Sequence, residues 1–482
     1  MKAFDIMRNI RSQVLQGEDV EVQQITIDSR CVSKGSMFFC IPGLRTDGHS
    51  YIASAIDEGA RAVVVERDPG VLPQDITVFK VANTRRALAY AAANFYHRPA
   101  QFLQLVGITG TNGKTSTAYF MEAVFRAWGK RTGLISTVES RIDNKPIEIH
   151  FATSTTPDSI ELHKIFHKMK EEQVTFAVME VTSHALALHK VDGIQYEVAI
   201  FTNLTLDHLD FHGTFEAYRD AKARLYTICN KAVINIDDEN GEYMVKSALC
   251  PVTTYSIEKE SDLQARLVEY LPGGVRFCVN IQGEDEWFDV PVAGKFSVYN
   301  ALGAIGSALA LGITAEVIRE GLSSVSVPGR FQSIPNGRGF SVIVDYAHTP
   351  DGLENIITSV REITRGKVIT VFGCGGDRDS TKRPIMGELA GKLSDFCIIT
   401  SDNPRTENPQ EIIAQIEPGV QRANCSYEKI PDRKEAIFKA VSMAAPGDAV
   451  IIAGKGHENY QIFAESTIHF DDSEVAAEAL NS

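Results

Sequence analysis

The 482-residue chain reads as an α/β protein of three domains, and three features carry that reading. Near-continuous apolar runs alternate with longer helical segments after the first hundred residues, the pattern of buried parallel strands joined by crossover helices. A glycine- and threonine-rich loop, LVGITGTNGKTS at 105–116, closes one such run and opens a helix. The length, set against roughly 100–200 residues per domain, predicts about three cores.

The elements follow in order. QQITIDSR, SMFFCIPG, ARAVVVERD and ITVFKVAN read as strands and IASAIDEGA and TRRALAYAAANFY as helices, giving a small α/β domain that ends near Pro99, where proline stops the last helix. From Phe102, FLQLVGIT, TFAVMEV, EVAIFTNL and AVINID form a central parallel sheet of the P-loop ATPase kind. The stretch PGGVRFCVNIQGEDEWFDVPV reads as hairpins on an antiparallel edge. The helix NALGAIGSALALG then leads to SVSVPGRFQSIP, whose Pro and Gly suggest a hinge. Past Pro328, FSVIVDYA, KVITVFGC, DFCIITSD and DAVIIAGK each end in a polar or glycine-rich loop, a Rossmann-like doubly wound domain whose ligands belong at the carboxyl ends of its strands. The expected domains are 1–98, 99–328 and 329–482.

The totals restrict function. A formal charge of -14 argues against a surface that coats nucleic acid, since such binding draws on many Lys and Arg contacts to phosphate. Eight cysteines lie scattered without a C-x-x-C pair, and MKAFDIMRNIRSQVLQ carries charges where a signal peptide needs an apolar core. Reduced thiols in the cytoplasm are the expectation. No uncharged run approaches the length of a membrane span.

The loop sequence departs from G-x-x-x-x-G-K-[ST], because Ile108 stands at the first glycine position. The chemistry is still served. Backbone N–H groups of Gly110, Thr111, Asn112 and Gly113 can turn toward phosphate, Lys114 offsets β/γ charge, Thr115 offers a hydroxyl to magnesium, and Ser116 continues the helix start. Glu180 ends TFAVMEV and His208 follows EVAIFTNL, so both fall at the carboxyl edge of the central sheet. Without further information His208 reads equally as a hydrogen-bonded loop histidine, and Lys222 in YRDAKARLY as one more solvated helical lysine.

The altered loop resembles the nucleotide loop of the Mur ligases and folylpolyglutamate synthases. MEVTSHAL (179–186), FTNLTLDHLDFHG (201–213), AYRDAKARLY (217–226), VPGRFQSI (327–334), VDYAHTPDGLENI (344–356), FGCGGDRDSTKRP (372–384), DNPRTENP (402–409) and GKGHENYQ (454–461) all resemble the Mur ligase family, in its MurE branch, and appear in order. What the resemblance implies is ATP-dependent amide formation through an acyl phosphate, with ADP and phosphate released. It also implies Mg2+ held by Thr115, Glu180, His208 and Lys222, the last as a CO2-derived carbamate. Asn300, Arg330 and Asp345 match the family's adenine, phosphate and ribose contacts. Ser297 stands where the family places an amide, and Asn235 with Asp238 reads either as nucleotide contacts or as an Asx turn.

For substrates, the branch implies UDP-N-acetylmuramoyl-L-alanyl-D-glutamate as carboxylate donor. Ser29 and the loop TDGHSY match its uridine region; Ser154, Thr155, Thr156, Thr182 and Lys190 match positions that hold the muramoyl peptide. The amine donor implied by Asp402-Asn403-Pro404-Arg405 is meso-2,6-diaminopimelate, since members that add lysine lack this arginine. A planar guanidinium suits the extra carboxylate on the far end of that amino acid. Arg378, Gly454 and Glu458 complete the implied pocket. A structural arginine paired with a neighbouring aspartate is the competing reading of Arg405. Folylpolyglutamate synthase, the other Mur ligases and a nucleotide-dependent regulator without catalysis are alternative assignments; the expectation is a cytoplasmic enzyme acting as a monomer.

Overall fold

The computed structural model describes residues 1–43, 46–147, 155–271 and 273–482. It divides into two compact units. The first comprises Met1–Gly110, Gly129–Ile234 and Asn240–Thr253; the second comprises Thr111–Trp128, Asn235–Glu239 and Thr254–Ser482.

The first unit holds two sheets. The N-terminal one has five strands in the spatial order Ser12–Gln16, Thr77–Val81, Ala60–Val65, Ser36–Phe39, Gln24–Thr26, all parallel except Ser12–Gln16. Its alternating sequences bury Met37, Phe39, Val64 and Phe79 on one face, against Ala87, Leu88, Ala91 and Ala92 of the helix Thr84–Phe95. Phe38, Val63, Val65 and Val78 fill the other face. The side chains of consecutive strand residues thus serve two cores, which is why the runs lack polar interruptions.

The second sheet of that unit orders Cys229–Asn235, Tyr196–Phe201, Gln104–Thr109, Phe176–Glu180 and Thr132–Ile135 in parallel, followed by an antiparallel ribbon, Ser140–Ile142 and Lys145–Pro146. Its central strands are buried along nearly their whole length. In this register Glu180 stands opposite Ile108, so its carboxylate lies at the edge from which Gly110 departs.

The second unit contains the expected antiparallel meander, Leu263–Leu271, Gly274–Ile281 and Glu284–Val290. It also contains a six-stranded sheet ordered Gln332–Ser333, Ser341–Asp345, Ala449–Ala453, Val368–Phe372, Phe396–Ile399, Ser426–Lys429, of which only the first strand is antiparallel. Val342, Val344, Ile369, Val371, Val450 and Ile452 make its apolar centre. Strand order jumps between Ala449–Ala453 and Val368–Phe372, and the loops after them carry the GKGHE and GGDRD motifs, the place where open α/β sheets keep ligands. No helix among the described residues is long and apolar enough to cross a membrane.

Candidate active site

In the first unit the glycine loop begins under steric pressure. A Cβ on Gly110 would lie 1.8 Å from Thr202 Oγ1, so no side chain fits there. Lys222, buried in the helix Phe215–Ala223, donates from Nζ to the Gly110 carbonyl at 2.7 Å and stands 4.7 Å above the Tyr218 ring. A residue that local pattern assigns to solvent is therefore inside, at the start of the loop.

Glu180 is buried as well. Its oxygens accept from Thr137, from the backbone N–H at 2.9 Å and from the hydroxyl at 3.1 Å, and Thr137 Oγ1 is 2.9 Å from Thr155 Oγ1. Burying a carboxylate costs less when its lone pairs are used. Thr156 has no exposed surface: its hydroxyl donates to the Glu180 carbonyl at 2.9 Å and accepts from the Thr182 N–H at 3.0 Å. Thr182 accepts from the Ala185 N–H at 3.2 Å and so caps the helix Ser183–Ala187. These two threonines hold the backbone from the Glu180 carbonyl to Ala185. Lys190 pairs with Asp158 at 2.7 Å. Ser154 lies outside the described residues.

His208 is exposed, with a left-handed backbone at φ 54, and sits among rings: His184 at 4.8 Å and Tyr218 at 5.9 Å between centroids. His212 Nε2 is 3.0 Å from Ser183 Oγ. Burial pushes both His184 and His212 down to about 4, so these two rings are neutral near pH 7.

In the N-terminal sheet Ser29 opens the turn Ser29–Cys31, but the cap is Asp28, whose carboxylate accepts from the Arg30 N–H at 2.9 Å. In TDGHSY, Asp47 accepts from the His49 N–H at 2.9 Å and pairs with Arg67. Those contacts, the backbone donor first, hold its carboxyl well below the usual range. His49 Nε2 accepts from the Glu66 N–H at 3.0 Å, leaving its proton on Nδ1 toward Asp47.

The second unit carries the rest of the loop. Gly113, at φ 83, caps the helix Lys114–Ala127, and Lys114 folds back so that Nζ donates to the Thr111 carbonyl at 2.8 Å. Thr115 and Ser116 are buried. Asn112 donates to Asp351. Thr117 Oγ1 donates to Asn300 Oδ1 at 3.2 Å, fixing the amide of Asn300 on the helix Lys295–Ala310. Ser297 turns its hydroxyl back to the Ala293 carbonyl at 2.8 Å, spending it on the residue just before the helix cap Gly294. Asn235 accepts from the Asp237 N–H at 3.0 Å, an Asx turn.

Asp345, at its strand end, accepts from the N–H groups of Phe331 at 2.7 Å and Ala347 at 2.9 Å. Burial raises its carboxyl and the Arg330 charge partly offsets that. The Arg330 guanidinium lies 4.6 Å over the Tyr346 ring, which sequence reasoning did not single out.

The motifs DNPR and GKGHE meet directly. Asn403 Nδ2 donates to Glu458 Oε2 at 2.8 Å, and its Oδ1 accepts from the Ile462 N–H at 3.0 Å. A Cβ on Gly454 would lie 2.5 Å from Asp402 Oδ2, so only glycine lets the two loops approach. Pro404 is buried; Arg405, half-buried at φ 52, donates from Nη1 to the Gly376 carbonyl at 2.7 Å. The Arg405 charge also helps lower the nearby Asp377 carboxyl, after the bonds Asp377 accepts from Thr406. Arg378 is exposed on the neighbouring loop.

Beneath these loops lies a strut that the sequence did not advertise. Fully buried Arg433 forms a two-bond pair with Asp472, both bonds 2.7 Å, and donates to the carbonyls of Ser401 at 3.3 Å and Ala453 at 3.0 Å. Those carbonyls immediately precede Asp402 and Gly454.

Fold and motifs together define an ATP-dependent ligase class. Residues 21–96 match the model of the Mur ligase family, catalytic domain; 108–308 match the Mur ligase middle domain; 329–456 match the Mur ligase, glutamate ligase domain. The chain belongs to the Mur ligase family. It is 46% identical over 480 residues to UDP-N-acetylmuramoyl-L-alanyl-D-glutamate--2,6-diaminopimelate ligase of Clostridium botulinum, covering 98% of each chain. It is 46% identical over 481 residues to the protein of the same name from Caldanaerobacter subterraneus subsp. tengcongensis, covering 100% of this chain and 99% of that one. A solved structure of a protein of that name superposes with a TM-score of 0.70 at 31% identity over 95% of each chain.

Proposed function

We propose that this enzyme joins meso-2,6-diaminopimelate to UDP-N-acetylmuramoyl-L-alanyl-D-glutamate in peptidoglycan synthesis, cleaving ATP to ADP and phosphate. The observation that carries the reading is the DNPR–GKGHE junction, where Asn403 and Glu458 are bonded and the half-buried Arg405 guanidinium is held beside them by the Gly376 carbonyl, within a family of amide-forming ligases. An amino acid with a carboxylate and an ammonium on its far end matches a guanidinium and a glutamate.

The chain's own groups divide the work. The N–H groups of 110–116 and Lys114 bind the nucleotide phosphates, and Lys114, now folded on Thr111, has the reach to swing toward them. Asn300, Arg330 and Asp345 orient the nucleoside end, Asn300 through an amide already fixed by Thr117. Residues 1–98, with Ser29 and the loop 46–51, hold the uridine diphosphate part; Ser154, Thr155, Thr156, Thr182 and Lys190 line the muramoyl peptide, Thr156 and Thr182 by fixing backbone. Residues 99–328 bind ATP. Residues 329–482 position the attacking amine through Asp402, Asn403, Pro404, Arg405, Gly454, Glu458 and Arg378.

Magnesium commonly takes one or two carboxylates together with substrate phosphates. Glu180 offers such a carboxylate, held in one orientation by two bonds from Thr137. Thr115, Glu180, His208 and a carbamate on Lys222 would hold Mg2+, which when bound offsets the like charges of carboxylate and γ-phosphate. Carbamylation keeps one N–H on Lys222, so the bond to the Gly110 carbonyl survives it. With eight unbridged cysteines the enzyme suits the cytoplasm, where it works as a monomer. The test is phosphate release from ATP in reactions that omit each reactant in turn: release requires both the muramoyl dipeptide and diaminopimelate, and release independent of the amino acid would refute the assignment.

A further inference from the structure

The strand Ala449–Ala453 runs apolar into Gly454, and the next residue is a lysine with no exposed surface. Lys455 Nζ donates to Glu458 Oε2 at 2.9 Å and to Asn403 Oδ1 at 3.2 Å, and it lies 5.4 Å over the Tyr460 ring. Asn403 Nδ2 meets the same glutamate oxygen. A buried ammonium is costly unless paired and hydrogen-bonded, and an unbranched apolar side chain would avoid that cost. What the lysine supplies in return is a Glu458 carboxylate held in one orientation with part of its charge already answered.

The balance of charge at this junction is simple. Set back from solvent are two cations, Lys455 and Arg405, and two carboxylates, Glu458 and Asp402; Arg433 is matched by Asp472. Set back from solvent, these charges balance; Arg378, exposed on the neighbouring loop, is a further cation at the rim. The far end of diaminopimelate, one carboxylate and one ammonium, is also neutral, whereas the far end of L-lysine is a bare cation. Without Lys455 the buried side of the junction would carry one net negative charge and would hold the cation better.

We infer that Lys455 is a specificity-determining residue: by answering Glu458 it keeps the buried side of the amino-acid pocket balanced in charge, and so matches it to a substrate whose far end is zwitterionic rather than cationic. The inference rests on the diaminopimelate reading above. Its role is electrostatic positioning, exerted through Glu458 and Asn403.

The experiment compares kcat/KM for meso-diaminopimelate and L-lysine, at saturating ATP and muramoyl dipeptide, in the wild type, Lys455→Met, Lys455→Arg and Glu458→Gln. Lys455→Met should lower the diaminopimelate-to-lysine ratio by about tenfold or more, the scale of one close charge contact. KM for ATP should stay within about twofold, which a general loss of structure would not allow. Lys455→Arg should restore the ratio to within about threefold of wild type, since the charge returns. Glu458→Gln, which shifts the charge the opposite way, should penalise lysine further, and it tests the idea even if Lys455→Met does not fold. A wild type that uses neither amino acid, or both equally, would overturn the proposed function itself. A wild type that prefers diaminopimelate, with ratios unmoved in Lys455→Met and Glu458→Gln, would overturn only the role of Lys455.

Discussion

Replacing Arg433 by methionine tests whether the amino-acid junction depends on a buried strut. The guanidinium makes two 2.7 Å bonds to Asp472 and two more to the carbonyls of Ser401 and Ala453, all without exposed surface on either charged side chain. Removing one partner of such a pair costs ~3–5 kcal/mol, because Asp472 is left charged in the interior. At about 2–4 °C per kcal/mol for a domain of this size, the unfolding midpoint of its unit should fall by roughly 6–20 °C. The pair Arg433→Met with Asp472→Leu should recover most of that loss, since apolar replacement of a buried ion pair is often close to neutral. The assay is thermal unfolding followed by circular dichroism, with KM for diaminopimelate measured below the transition. The double variant should regain stability but keep a raised KM, because the two carbonyls remain unheld. A single variant within about 2 °C of wild type, or a double variant no better than the single, would refute the reasoning.

Other consequences are more local. Lys222→Ala should reduce kcat by about 100-fold or more with the fold retained, and added bicarbonate should not restore turnover; near-normal kcat would remove Lys222 from the chemistry. Glu407, bonded by Arg383 first and by the Asp377 N–H second, has its carboxyl held down at about 2 from an ordinary 4.5. A lowered folded value means the pair contributes fully above the ordinary value and is lost as pH falls toward about 2. Glu407→Gln should therefore be less stable than wild type near neutrality, and the gap should narrow below about pH 4.5 and close as pH falls through about 2 in urea titrations; a gap independent of pH would contradict this.

Much of this architecture was legible because it is written in local pattern. Apolar runs ending in polar or glycine-rich loops located most of the parallel strands, though not the buried Thr132–Ile135, and the meander announced itself through its turns. The short Ser12–Gln16 and Ser426–Lys429 strands, only partly buried along their length, gave no comparable signal. At the candidate site, the sequence named motif residues but not the partners they meet in the fold. Thr137 meets Glu180 across 43 positions, Lys455 meets Asn403 across 52, and Arg433 meets Asp472 across 39. Such pairings depend on which loops the sheet brings together, and composition near either residue says nothing about them. Lys222 shows the same limit: a charged helical stretch conceals that one of its lysines is buried against the Gly110 carbonyl. For Lys455 a faint signal existed, a cation directly after a wholly apolar strand and one glycine.

Product analysis by mass spectrometry reaches the central claim most directly. Given ATP, Mg2+, UDP-N-acetylmuramoyl-L-alanyl-D-glutamate and an equal mixture of meso-diaminopimelate and L-lysine, the enzyme should release one ADP per muramoyl tripeptide, almost all of it carrying diaminopimelate. A folded, nucleotide-binding protein that yields no tripeptide, or yields the two tripeptides in equal amounts, would contradict it.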